Sequence, residues 1–290
     1  QVLVHDRKGE RRVSPFMVPM IMPNAPGAAI SMRFGLQGPN ETITTACAAS
    51  THAIGYATRL IQMGYADVVV SGGTESVMSP VGMAGFQNMT ALSSSGQSMP
   101  FDKDRDGFMM TEGSATLVLE EMDSARARGA NIYGEVLGSG STADAHHITA
   151  PAPGGDGALR CMQLAIEDSG LATNDIASVN AHGTSTPLND AAEAEALSKL
   201  FGGDGPPVTS TKGVTGHALG AAGAIEATAV LLSFLHKKIP PTAGFVNPDP
   251  EMADFNLVTD GPLAWEPGPS MSNSFGFGGH NGSIVLAPPE

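Results

Sequence analysis

The chain of 290 residues carries 15 Lys and Arg against 29 Asp and Glu, which gives a formal net charge of −14. Such an acidic chain lacks the basic surface that holds a phosphate backbone, and this argues against nucleic-acid binding. Charged residues make up 15% of the chain and hydrophobic residues 41%. This balance predicts a large core, or an extensive subunit interface that hides surface.

Two cysteines, Cys47 and Cys161, cannot form a disulfide framework, which predicts a reducing compartment and hence a cytoplasmic location. One segment, residues 218–235, is long enough to span a membrane. It contains Glu226 and many glycines and alanines, so we interpret it as a buried helix and expect no membrane association.

Strand and helix patterns alternate along the chain. Short apolar runs predict strands at 66–71, 115–119, 132–140, 179–181, 207–210 and 282–286. Amphipathic or small-residue runs predict helices at 48–63, 123–128, 157–169, 190–200 and 220–235. The alternation predicts an α/β protein whose sheet is covered on its faces.

Two landmarks recur at nearly the same offset. Cys47 and His217 each precede a helix rich in small residues and lie 170 positions apart (217 − 47). The strands that begin at Gly113 and Gly282 lie 169 positions apart (282 − 113). Two landmarks with one offset predict a duplicated fold.

The repeat divides the chain into an N-terminal half, residues 1–121, and a C-terminal half, residues 122–290. The predicted strand and helix over residues 132–169 have no counterpart in the first half, and the chain starts at Gln1 rather than at Met. We therefore expect the first half to be incomplete at its N-terminus, and we expect low or no activity from the chain as it stands.

Cys47 lies where a predicted helix begins. The positive end of a helix dipole favours a thiolate, and the backbone N–H at this position is free to point at an oxyanion. The alternative is a buried and inert small hydrophobe, which is the usual role of a lone cysteine. We assign that inert role to Cys161, inside the amphipathic helix.

Two histidines also lie at junctions between elements. His182 follows a predicted strand, at the kind of edge where open α/β sheets place functional groups, and His217 precedes a predicted helix. Either could be a hydrogen-bonded core histidine. The spacings of 135 (182 − 47) and 35 (217 − 182) match no zinc pattern, so we expect no metal.

A glycine-rich stretch over residues 274–282 surrounds Phe277 and precedes the last predicted strand. It could be a phosphate cradle, although no helix follows it. A tight turn that presents a backbone N–H, with Phe277 as a gate, fits equally well.

Four blocks resemble, in combination and order, the signature blocks of the β-ketoacyl-acyl-carrier-protein synthases, and the type II elongating enzymes most. These blocks are TACAAS at 45–50, NAHGTSTPLND at 180–190, STK at 210–212 leading to GH at 216–217, and NSFGFGG at 273–279. The resemblance covers essentially the whole chain. It implies the thiolase fold, with two similar α/β/α/β/α halves, and decarboxylative condensation of an acyl-enzyme with malonyl-acyl-carrier-protein in fatty acid elongation.

The resemblance also implies roles for single residues. Cys47 would be the nucleophile, because a thiolate both attacks and leaves well. The backbone N–H groups of Cys47 and Phe277 would form the oxyanion hole, and Phe277 would gate the acyl pocket. His182 and His217 would donate hydrogen bonds to the malonyl thioester carbonyl and so stabilise the enolate.

Other implied roles concern support and binding. Lys212 and Glu226 would fix the histidines, and Glu226 needs a buried partner in any interpretation. The resemblance implies that Thr184 and Thr186 bind the phosphopantetheine arm. It also implies that Arg11 and Arg12 contact the acidic carrier protein. It implies a homodimer with no cofactor of its own, since the substrates travel on the carrier protein.

Related enzymes fit the residues less well. A degradative thiolase needs a second catalytic cysteine, a starter condensing enzyme pairs His with Asn, and a chain-length factor lacks the nucleophile. Two alternatives stay open: the ketosynthase of a polyketide pathway, which keeps the same triad, and an inactive fragment that acts only as a binding module.

Overall fold

The computed structural model describes residues 1–289, which fall into two units, Gln1–Thr44 and the part that begins at Thr45. The first unit is helical. Its elements are α1 (Val2–Lys8), a 3₁₀ turn (Glu10–Arg12), α2 (Met17–Ile21) and α3 (Ala25–Phe34). Over residues 1–44 these helices bury no residue fully.

The second unit alternates helices and strands. Its first elements are α4 (Ala49–Gln62), β1 (Val68–Glu75), α5 (Pro80–Asn88), β2 (Gly113–Glu120), α6 (Met122–Ala127), β3 (Glu135–Ala143) and α7 (Asp156–Ser169). The remaining elements are β4 (Ser178–Asn180), α8 (Pro187–Phe201), β5 (Val208–Thr209), α9 (Lys212–Thr215), α10 (Ala222–His236), β6 (Lys238–Ile239), β7 (Leu263–Ala264), β8 (Ser270–Gly276) and β9 (His280–Ala287).

A five-stranded mixed sheet, in the order β3-β9-β8-β4-β5, forms the centre of this unit. Because side chains alternate along a strand, neighbours on β9 belong to different cores. Val285 packs with Met162 of α7 and Leu197 of α8, whereas Ile284 packs with Ile54 of α4 and with α10. The sheet is therefore covered on both faces, as the sequence predicts.

The repeat is present in the backbone. An antiparallel pair, β1–β2, follows α4, and an antiparallel pair, β8–β9, follows α10. The residue at the entrance to each helix has a positive φ, 50° at Ala46 and 45° at Leu219. The helices begin at Ala49 and Ala222, so the structural offset is 173 (222 − 49). The halves 1–121 and 122–290 themselves stay a prediction.

Three strands were missing from the sequence prediction, the short pair β6 and β7 and, in the five-stranded sheet, β8. Serines and asparagine make up most of β8, and its first five residues are buried. Two of the serine hydroxyls have partners on neighbouring elements: Ser178 of β4 donates to Ser270 over 2.8 Å, and Ser274 pairs with Thr51 of α4 over 2.7 Å. Hydrogen-bonded serines can occupy a central strand, but an apolar pattern does not reveal them.

Helix α10 lies in the core. The stretch Leu219–His236 is long and apolar enough to cross a membrane, yet half of it is buried inside the protein. Glu226, in its middle, is buried and forms an ion pair with buried Lys212. This arrangement is that of a core helix, in agreement with the sequence interpretation.

Candidate active site

Cys47 lies in a tight turn directly before α4. The turn is a 3₁₀ element, Ala46–Ala48, and the Cys47 side chain is buried. The backbone N–H groups of Phe277 and Cys47 interact with the thiol and oppose the rise in the pKa of Cys47. Gly276 allows this approach, since a Cβ atom there would lie only 3.0 Å from the backbone nitrogen of Cys47.

His217 is in contact with the nucleophile. Its Nε2 lies 3.0 Å from Sγ of Cys47. Backbone hydrogen bonds to Met109 (2.8 Å) and from Thr111 (3.0 Å) hold the His217 main chain, and the Phe108 ring packs edge-on against the imidazole at 5.0 Å. Nδ1 of His217 has no hydrogen-bond partner among residues 1–289, so the backbone and Phe108 orient the ring.

His182 follows β4 and faces His217. The two ring centroids are 5.3 Å apart with an interplanar angle of 83°. The Glu193 carboxylate, from α8, accepts hydrogen bonds from the N–H groups of His182 (2.8 Å) and Gly183 (2.7 Å). A buried carboxylate thus fixes the main chain that presents His182.

Lys212 links the site to α10. Its ammonium pairs with Glu226, donates to the carbonyl of His182 over 2.6 Å and lies 3.3 Å from Nδ1 of the same ring. An ammonium group can only donate, so Nδ1 of His182 accepts and Nε2 carries the proton. Lys212 is therefore not a solvated loop lysine, and His182 presents an N–H donor on its other nitrogen.

Burial keeps the reacting groups neutral. It lowers the pKa of both His182 and His217 well below the usual value, and the Lys212 charge lowers them further. Burial also raises the pKa of Cys47 to about 11, although Lys212 and the N–H groups of Phe277 and Cys47 oppose this. The thiolate expected from the helix position is thus disfavoured, because desolvation outweighs the turn.

Glu226 shows the same competition. Burial raises the pKa of its carboxyl to about 7, while the adjoining Lys212 works in the opposite direction. Through Lys212, the pair contacts both the carbonyl and Nδ1 of His182, and so supports the orientation of this ring.

The sulfur and one ring nitrogen from each histidine lie within 4.8 Å of one another. A thiol and two imidazoles are also zinc ligands. The absence of a metal therefore stays a prediction that rests on sequence spacing.

The remaining candidate residues fall in three places. Thr184 and Thr186 follow His182, and their hydroxyls are 2.9 Å apart. Phe277 is half-buried in the turn between β8 and β9. Arg11 and Arg12 are exposed in a 3₁₀ turn of the N-terminal unit. The structure thus brings together the triad, Lys212, Glu226 and the Phe277 turn within one unit.

Sequence reasoning missed the carboxylates that hold the His182 loop. Besides Glu193, buried Asp190 accepts hydrogen bonds from the N–H groups of Phe101 (2.8 Å) and Ser185 (3.1 Å). The signal was available: Asp190 and Glu193 are three residues apart on an alanine-rich helix, and so share a face.

Comparison with known proteins identifies the class. The profile described as "Beta-ketoacyl synthase, N-terminal domain" matches residues 1–125, and the profile described as "Beta-ketoacyl synthase, C-terminal domain" matches residues 133–246. The chain belongs to the beta-ketoacyl synthase family.

Two curated relatives are particular members of that family. A "3-oxoacyl-[acyl-carrier-protein] synthase 2" of Synechocystis sp. is 48% identical over 286 residues, which cover 96% of this chain and 68% of the relative. One of Staphylococcus aureus is 47% identical over 285 residues, covering 96% of this chain and 70% of the relative.

Solved structures agree on the fold. A beta-ketoacyl synthase from Burkholderia phymatum has a TM-score of 0.94 at 36% identity, over 100% of this chain and 71% of that one. A type II polyketide ketosynthase, solved with its acyl-carrier protein, has a TM-score of 0.94 at 30% identity, over 99% and 74%. The fold is the thiolase fold, as the sequence predicts.

Proposed function

We propose that this chain catalyses the decarboxylative condensation of an acyl-enzyme thioester with malonyl-acyl-carrier-protein, the elongation step of fatty acid synthesis. One observation carries the proposal: Sγ of Cys47 lies 3.0 Å from Nε2 of His217, and the backbone N–H groups of Phe277 and Cys47 act on the same sulfur by opposing the rise in its pKa. A nucleophile, a proton acceptor and oxyanion donors meet at one atom, which is the requirement for acyl transfer.

Acyl transfer is the first half of the reaction. As the sulfur of Cys47 attacks the thioester carbonyl, its proton passes to Nε2 of neutral His217. The N–H groups of Cys47 and Phe277 stabilise the oxyanion, a contribution of about 10²–10³ in rate for each donor. The carrier thiolate then leaves and takes one proton from the His217 imidazolium, and the proton that stays, on Nε2, makes the neutral ring a donor for the next step.

Condensation is the second half. His182 and His217 donate hydrogen bonds to the malonyl thioester carbonyl, loss of CO₂ leaves an enolate there, and the enolate carbon attacks the acyl carbon. The Cys47 thiolate leaves and takes a proton from the solvent, since the reaction consumes one proton overall. Because decarboxylation removes no proton, neutral donors suit this step better than a base, and the lowered histidine pKa values support that role.

Binding of the carrier protein completes the proposal. Thr184 and Thr186 contact the phosphopantetheine arm, and Arg11 and Arg12 contact the acidic carrier protein. A related ketosynthase solved with its carrier protein supports this partner. A homodimer, a cytoplasmic location and the absence of a resident cofactor or metal belong to the proposal as predictions.

Relatives of the polyketide class are less similar in sequence to this chain than relatives of the fatty acid class. The ketosynthases solved with a carrier protein or a chain length factor are 30%, 34% and 31% identical, against 46–48% for the curated 3-oxoacyl-acyl-carrier-protein synthases. Elongation in fatty acid synthesis is therefore the better-supported pathway.

The test is intact-mass analysis after incubation with an acyl-carrier protein thioester. The expected result is a mass gain of one acyl group, abolished by Cys47→Ala. Cys161→Ala is the matched control, since Cys161 is also buried and free but lies on α7, and it retains the gain. A folded chain, extended to the length of its relatives, that gains no acyl group, or that gains it without Cys47, contradicts the proposal.

A further inference from the structure

One imidazole bridges the two segments that carry the oxyanion donors. His52, on α4, has Nδ1 2.7 Å from the hydroxyl of Thr45 and Nε2 3.0 Å from the carbonyl of Asn281. Thr45 begins the turn that contains Cys47. Asn281 lies on β9, four residues after Phe277.

The hydrogen bonds fix the tautomer of His52. A carbonyl oxygen can only accept, so Nε2 carries the proton and donates it to Asn281. Nδ1 must then accept, and the hydroxyl of Thr45 donates to it. Burial lowers the pKa of His52, which favours this neutral ring.

Thr45 and Asn281 each control the position of an oxyanion donor. The Thr45 carbonyl accepts the N–H of Ala48 over 3.1 Å and closes the turn in which Ala46 has a φ of 50°. Asn281 pairs with Phe275 in the antiparallel ladder, just beyond the turn that presents the N–H of Phe277.

The two segments approach closely, so a small change in one reaches the other. A Cβ atom at Gly276 would lie 2.8 Å from the Thr45 carbonyl oxygen, and one at Gly282 would lie 3.0 Å from the His52 ring. Gly282 leaves the space that the imidazole occupies, and Gly276 leaves room for the backbone of the Cys47 turn.

We propose that His52 is a positioning residue that sets the separation between the N–H groups of Cys47 and Phe277. The inference rests on the proposed function, because the two donors matter only if an oxyanion forms between them. His52 contacts neither substrate nor the reacting sulfur, and it acts through Thr45 and Asn281.

Two reactions of Cys47 separate this role from a purely structural one. Acylation by a thioester forms an oxyanion and uses both N–H groups. Alkylation by iodoacetamide displaces iodide in one step and forms no oxyanion. His52→Ala is expected to slow acylation about 10- to 100-fold, a fraction of the loss for a missing donor, and to change alkylation less than threefold.

Conservative variants test each bond. His52→Asn can still accept from Thr45, and His52→Gln can still donate to Asn281, so each is expected to fall between wild type and His52→Ala. Thr45→Val removes the hydroxyl and reproduces the loss, whereas Thr45→Ser restores the rate. His236→Ala, an exposed histidine at the end of α10, is the control and leaves both reactions unchanged.

The outcomes are distinct. Equal slowing of acylation and alkylation, or no slowing of either, overturns the inference. If His52→Ala does not fold, Thr45→Val and Thr45→Ser carry the same comparison. A wild-type chain that iodoacetamide alkylates but no thioester acylates contradicts the proposed function instead.

Discussion

The two copies of the repeated motif have the same backbone and different surroundings. In the first, β1 and β2 form a sheet of two strands, and Val68 and Val118 are 50% and 63% exposed. In the second, β8 and β9 lie inside the five-stranded sheet and are largely buried. The backbone pattern is therefore set locally, while burial is set by neighbouring strands.

The copies also pack crosswise. A Cβ atom at Gly276, in the second copy, would meet the Thr45–Cys47 turn of the first. A Cβ atom at Gly73, in the first copy, would lie 2.8 Å from the carbonyl of Gly220, in the turn before α10. Each strand pair thus closes over the helix entrance of the other copy.

The functional groups of the site are divided unequally between the two copies. By the structural offset of 173, Cys47 corresponds to Gly220 and Glu226 to Ala53 (226 − 173). The first copy supplies the nucleophile, and the second supplies His217, the buried ion pair and the N–H of Phe277. One backbone motif therefore carries a thiol in one place and its supporting groups in the other.

The largest expected effect concerns the ion pair that only the second copy has. Glu226→Ala leaves the Lys212 ammonium buried without its carboxylate, and we expect the free energy of unfolding to fall by about 3–5 kcal/mol, measured by urea denaturation. Glu195→Ala, at an exposed ion pair on α8, is the control and is expected to change it by less than about 0.5 kcal/mol.

The double variant Lys212→Met with Glu226→Leu removes both charges and is expected to regain most of that stability. It does not regain condensation, because the donor that fixes Nδ1 of His182 is gone. A single Glu226→Ala variant as stable as wild type would show that the pair is not buried as described.

The next effect tests the crosswise packing. Gly276→Ala pushes against the Cys47 turn and is expected to slow thioester acylation about 10- to 100-fold. Gly73→Ala pushes against Ser50 (2.5 Å) on α4 and against Gly220 (2.8 Å), neither of which carries a reacting group, so it is expected to lower stability by about 1–3 kcal/mol and to slow acylation less than Gly276→Ala does. Stopped-flow release of the carrier thiol measures the first and urea denaturation the second. Equal loss of acylation in both variants would contradict the claim that the entrance of α4 carries the nucleophile and the entrance of α10 carries no reacting group.

The smallest effect, counted per pH unit, is a pH dependence. Because the thiolate is the reactive form and burial raises the pKa of Cys47 to about 11, the thiolate fraction is small at pH 7 and grows as pH rises. The rate of Cys47 alkylation by iodoacetamide is expected to rise about tenfold per pH unit from pH 7 to 10. A free small-molecule thiol, as control, levels off above about pH 9. A plateau for Cys47 below pH 8 would mean that the turn, not burial, sets its pKa.

These particulars show what sequence patterns can predict. Half of the α-helices, six of the nine strands and the duplication follow from periodicity and glycine placement, and the family blocks indicate the candidate triad. β8 was missed because four of its five buried side chains are serines and asparagine, which an apolar pattern does not reveal. The bridge made by His52 was missed because Asn281 is 229 positions away, and no local pattern specifies that contact.

Electrostatics were also beyond the sequence. The helix entrance favours a thiolate at Cys47, yet the sign of the pKa shift depends on how completely the fold excludes water. Glu193 illustrates the same point. The sequence places it on an alanine-rich helix, but only the structure shows that its carboxylate is buried and contacts the backbone of His182.

The most direct test follows one acyl group through both halves of the reaction. After acylation of Cys47, malonyl-acyl-carrier-protein is added, and intact mass, released CO₂ and 3-oxoacyl product are measured together. The account predicts that the adduct disappears with one CO₂ per product, and that His182→Ala leaves the adduct in place. Product that forms with Cys47→Ala, or an adduct lost without CO₂, would contradict it.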